Sequence, residues 1–138
     1  MPLPTLPALD GDLTALAARL RQSTVAVQVG SRTRRGPGSA FGGAAGHGSG
    51  IVWRADGLIV TNAHVARADQ ALVTLPDARR MVARVVARDP GRDLALLQVE
   101  ADGLTPAVPA DAAALTPGAL VFAFGHPLAH SCANTRHP

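Results

Sequence analysis

The chain has no lysine and no tyrosine, and its aromatic content is 3%. All thirteen basic residues are arginines, so the basic isoelectric point follows from having nothing to titrate before arginine. With so much Ala, Gly and Pro, the arginine usage reflects a GC-rich coding sequence. Net charge is only +3, and the densest basic run, Arg32-Thr33-Arg34-Arg35, lies among Gly, Ser and Pro with no aromatic neighbour. Base stacking has no platform there, which argues against nucleic acid and for a solvated loop. One cysteine, Cys132, excludes an intrachain disulfide and reads as a bystander thiol. No run approaches the ~20 apolar residues of a membrane span. Residues 1–12 hold three prolines, two aspartates and no basic stretch, so no signal peptide is visible. Either the protein is cytoplasmic, as the sequence stands, or its start site is misplaced, and the localisation stays open.

Apolar residues make up 47% of 138, enough for one folded domain. With so few rings, Ala, Val and Leu must fill the core. Asp12 reads as an N-cap, and Leu13, Leu16, Ala17 and Leu20 follow at helical spacing, predicting a helix over 12–22. Val25, Val27 and Val29 alternate as in a half-buried strand. Residues 30–47, with six glycines, read as a long loop. A hairpin follows, turning at Ala55-Asp56-Gly57. Further strands are predicted over Gln70–Leu75, Arg80–Arg88 and Leu94–Val99. In the second of these, Met81, Ala83, Val85 and Ala87 form one face and Arg80, Arg84 and Arg88 the other. Short strands at this spacing imply a barrel or sandwich.

Two boxes carry the chemistry. The first is Gly48-Ser49-Gly50, the hairpin turn, and Thr61-Asn62-Ala63-His64-Val65; the second is Asp93-Leu94-Ala95-Leu96-Leu97. They resemble the boxes of trypsin-like serine proteases of the HtrA/Deg branch, which hold the catalytic histidine and aspartate. His64 and Asp93 are 29 residues apart, in that family's order and spacing. Residues 119–128, Ala-Leu-Val-Phe-Ala-Phe-Gly-His-Pro-Leu, resemble the strand opening the family's second barrel. The resemblance covers residues 24–128 and implies an all-β fold. A six-stranded antiparallel barrel would be preceded by a helix and followed by an incomplete second barrel. The implied divisions are a leader and helix over 1–23 and a first barrel over 24–108. A connection with the first strand of the second barrel then spans 109–128, and an aberrant tail 129–138.

The implied function is serine endopeptidase, cutting polypeptides through an acyl-enzyme. His64 would be the general base and Asp93 its orienter. Singly, each is an ordinary surface histidine or turn aspartate; within the two boxes the catalytic reading is favoured. The nucleophile is missing. The serines are Ser23, Ser31, Ser39, Ser49 and Ser131, and no Gly-x-Ser-Gly-Gly occurs. Ser49 is structural in relatives, and Ser131 comes too early. The chain alone is therefore expected to be inactive, with a separate serine-bearing fragment as the partner that would complete it. The alternative is a non-catalytic half-protein, a binding or decoy module or a fragment without function. The character of the sequence changes after Leu128, and a truncation or reading-frame change near Ala129 accounts for it. His126, His130, Cys132 and His137 match no zinc spacing, and neither a metal nor another cofactor is expected.

Overall fold

The computed structural model describes residues 6–30 and 44–126, with side chains from Asp10 and from Gly46 in the two segments. A helix, α1 (Leu6–Ser23), leads into six strands: β1 (Thr24–Gly30), β2 (Ala44–Val52), β3 (Leu58–Thr61), β4 (Gln70–Thr74), β5 (Arg80–Asp89) and β6 (Leu94–Gln98). Every pairing is antiparallel, and the order β1-β2-β3-β6-β5-β4 closes when β4 pairs back onto β1. Closure leaves no strand edge unpaired within the barrel. No helix among the described residues is long and apolar enough to cross a membrane.

Alternation decides what fills the barrel. Val25, Val27 and Val29 of β1 point inward, as their spacing predicts, and meet Ile59, Ala71, Val73, Ala83, Ala95 and Leu97 from other strands. Among the described residues no aromatic ring enters this core. Small side chains suit a six-stranded barrel, whose interior has room for little more than the residues of its own wall. Gly50 shows how tight that wall is. A Cβ there would stand 2.8 Å from a methyl of Ile59, 3.0 Å from one of Val25 and 3.1 Å from one of Val27.

Several local expectations change. The helix starts earlier than residue 12, with Pro7 in its first turn, where a missing N–H costs nothing. Asp12 is therefore not a cap but an exposed residue inside α1. Ser23 and Thr24 end the helix by turning their hydroxyls onto the Leu20 carbonyl, at 3.2 and 2.8 Å. Both ends of the predicted loop over 30–47 are strand instead: Gly30 belongs to β1, and β2 begins at Ala44.

In β5 the two-sided pattern breaks at a bulge between Val85 and Ala87. One extra residue reverses which face each later side chain takes. Ala87 now lies opposite Leu96 and is exposed, and Val86 is half-exposed. Arg88 lies opposite the buried Ala95 and folds over the barrel end, donating to the carbonyls of Ala66 and Ala68.

Beyond β6 the chain stays stitched to the first hairpin. Val99 N–H donates to Gly57 O, Leu104 N–H to Ala55 O, and Ala107 N–H to Val52 O. From Val108 to His126 every residue is exposed. The expected strand over 119–128 is not formed over its described part, 119–126, where no second strand among the described residues lies beside it to complete a ladder. Residues 127–138, including the expected tail, lie outside the described residues.

Candidate active site

His64 is carried on a single helical turn directly after β3. The N–H groups of Val65 and Ala66 both donate to Asn62 O, each at 3.1 Å. The turn is anchored from below: Val65 and Ala66 are buried. Val65 can sink only because β2 is thin beneath it. A Cβ at Gly48 would come within 2.5 Å of Val65 Cγ2, and one at Gly46 within 3.2 Å of Val65 O. Thr61, the last residue of β3, holds the same strand by donating its hydroxyl proton to Ser49 O at 2.8 Å. The glycine-rich strand thus sets the height of the histidine turn. From the other side Arg67 Nε donates to His64 O at 2.7 Å.

Asp93 enters from the opposite loop, at the threshold of β6. Its N–H donates to Pro90 O at 3.3 Å, and its backbone is left-handed, with φ of 53°. Aspartate tolerates this region better than most residues, because its short polar side chain can bond locally. Here the whole residue is turned toward the histidine turn. Ala63 N–H donates to Asp93 O at 3.2 Å, and His64 N–H to Asp93 Oδ1 at 2.9 Å. The side chains meet as well, with His64 Nδ1 2.6 Å from Asp93 Oδ2.

The backbone N–H of His64, followed by its ring, holds the Asp93 carboxyl below the ordinary carboxylate range, against a smaller opposing effect of burial. The imidazole side chain is 60% exposed, so its far edge faces solvent. An imidazole with Nδ1–H committed to a carboxylate offers the lone pair of Nε2 to a proton donor.

The structure therefore brings together the two residues singled out in the sequence. It also gives individual roles to four more residues, Asn62, Arg67, Gly48 and Val65. Asn62 and Val65 stand inside the Thr-Asn-x-His-Val box, so the signal was present without a partner to explain it. Ser49, by contrast, is occupied elsewhere, its Oγ accepting from His126 N–H at 2.7 Å. No cluster of His, Cys, Asp and Glu suited to a metal occurs among the described residues. Ser31, Ser39, Ser131, His130, Cys132 and His137 lie outside them.

The profile of the trypsin-like peptidase domain matches residues 48–135, which include His64 and Asp93. The chain belongs to the trypsin-like peptidase family. Among curated relatives, a probable periplasmic serine endoprotease DegP-like of Marinomonas sp. is 46% identical over 81 residues, covering 58% of this chain and 17% of that protein. A protein of the same description from Halomonas elongata is 42% identical over 93 residues, covering 62% of this chain and 20% of that one. Protease Do-like 1, chloroplastic, of Arabidopsis thaliana is 44% identical over 85 residues, covering 59% and 19%. The chain thus spans about a fifth of the length of these relatives. Among solved structures, the serine endoprotease from Yersinia pestis superposes with a TM-score of 0.58 at 27% identity, covering 80% of this chain and 35% of that one. The chain is thus similar to proteases of the HtrA/Deg branch, and its closed six-stranded barrel is the trypsin-like fold.

Proposed function

We propose that this chain supplies the general base and its orienting carboxylate to a serine endopeptidase site. His64 is the base and Asp93 the orienter. The observation that carries this reading is the 2.6 Å contact between His64 Nδ1 and Asp93 Oδ2, made while the rest of the ring stays open to solvent. In the reaction, Nε2 takes the proton of a serine hydroxyl as that oxygen attacks a peptide carbonyl. Nε2 then returns the proton to the leaving amine. Asp93 fixes the tautomer beforehand and stabilises the imidazolium afterwards. Its lowered carboxyl pKa supports that role, because the group stays ionised throughout the range where histidine works.

The serine and the oxyanion donors come from outside these 138 residues. No Gly-x-Ser-Gly-Gly is present in them. The two described serines are engaged elsewhere: Ser23 Oγ on Leu20 O, and Ser49 Oγ on His126 N–H. An oxyanion-hole donor alone is worth about 100–1000-fold in rate, and triad members act as a unit. The 138-residue chain by itself is therefore inactive toward polypeptides, the substrate class of the complete site. Purified chain should neither hydrolyse casein above background nor take up a fluorophosphonate probe. Hydrolysis that disappears in His64→Ala, with a labelled serine in the parent, would contradict this reading.

A further inference from the structure

We propose that Asn62 is a positioning residue whose side-chain amide locks the Asp93 carboxylate onto the His64 ring. The inference rests on the reading of His64 and Asp93 as base and orienter.

Asn62 Nδ2 lies 3.1 Å from Asp93 O and 3.2 Å from Asp93 Oδ2. Both partner atoms are acceptors, so the amide nitrogen, with its two protons, must be the atom that faces them. One amide group thus bridges the main chain and the side chain of a single residue. Rotation of the carboxylate about its side-chain bonds would break one arm of that bridge. The restraint matters because the Asp93 side chain is 44% exposed, and water competes for both of its oxygens. It also matters because Asp93 holds a left-handed backbone, in which its carbonyl as well as its carboxylate faces the histidine turn.

The chemistry of the clamp suits the task. A neutral amide donates to Oδ2 without adding a positive charge that would compete with the imidazolium. Oδ2 has room for both donors, since a carboxylate oxygen can accept more than one hydrogen bond. The side-chain amide of Asn62, donating to Oδ2, also helps hold the Asp93 carboxyl in its ionised form, behind the larger effect of His64.

Asn62 acts through two separable parts. Its backbone carbonyl accepts from Val65 and Ala66 and so shapes the turn that carries His64, whereas its side-chain hydrogen bonds among the described residues go to Asp93. Replacing the side chain therefore leaves the turn intact, and Asn62 is exposed, so no core packing is lost.

The test is nitrogen-resolved NMR of the His64 ring in the full chain and in Asn62→Ala, Asn62→Asp and Asp93→Asn. Asn62→Ala should keep the amide spectrum of the barrel. Exchange of the Nδ1 proton with water should rise about fivefold, the factor expected for loss of one ordinary hydrogen bond. Asn62→Asp has the same shape but sets a second carboxylate against Oδ2, so the downfield Nδ1–H signal should vanish at neutral pH. Unchanged tautomer ratio and proton exchange in both Asn62 variants would overturn the proposal while leaving the His64–Asp93 pair standing. Collapse of the amide spectrum in Asn62→Ala would overturn it too, because that is the mark of a structural residue. If Asp93→Asn leaves the His64 ring of the parent unaltered, the underlying pair is absent and both readings fall.

Discussion

The barrel and the segment after it are built from the same kinds of side chain, yet they treat them in opposite ways. Val25, Val27, Ile59 and Leu97 have no accessible surface at all. Leu120, Val121 and Phe122 are 73%, 68% and 51% exposed. Hydropathy does not separate the two sets. What separates them is a neighbour on each side. Every barrel strand has two antiparallel partners and an opposite wall to pack against, while residues 119–126 have no ladder among the described residues. Among the described residues their hydrogen bond to the barrel is at the end, where His126 N–H meets Ser49. Burial is a property of facing surfaces, not of a residue type.

That contrast can be broken or sharpened by mutation. The largest effect is expected in the barrel core. Leu97→Ala should destabilise the chain by about 2–5 kcal/mol in a denaturant melt, since a closed wall cannot collapse into the cavity. Gly48→Val comes next, at about 1–3 kcal/mol. It drives a side chain into Val65 and should also shift the amide signals of residues 62–66, linking barrel packing to the histidine turn.

A smaller effect comes from acid. The backbone N–H of His64 lowers the pKa of Asp93, the Arg92 side chain that of Asp89, and the backbone N–H of Arg79 that of Asp77. A carboxylate depressed in the folded state contributes stability that is complete above its unfolded pKa. That stability is lost as pH falls through the lower folded value. Melting temperature should thus hold from neutral pH down to the ordinary carboxylate range and decline below it. Asp89→Asn should flatten the decline. The smallest effect is expected for Phe122→Ala, within about 0.5 kcal/mol despite the size of the ring. A core-like loss there would show that the segment packs as the barrel does.

Much of the barrel was legible because its strands alternate: Val25, Val27 and Val29, or Ala95 and Leu97, declare a buried face without help. The start of β2 was not, since Ala44 to Gly50 has few side chains with which to alternate. Gly46 and Gly48 make sense only once Val65, delivered from another loop, is seen to need the space. The bulge in β5 was hidden because a pattern of two survives an inserted residue on either side of it. The candidate site was legible as two residues within local boxes. The bonds joining them were not, because Asn62 and the left-handed Asp93 acquire roles only when the two loops are brought together across β3 and β6.

Pairing of β3 with β6 brings the His64 and Asp93 loops together. A nitrogen-resolved NMR spectrum of the His64 ring, recorded near neutral pH on the full chain and on Asp93→Asn, tests it most directly. The chain should show a proton held on Nδ1 with a far-downfield signal, and the variant should lose that signal while the barrel amides stay in place. Identical ring signals in the two proteins would contradict it.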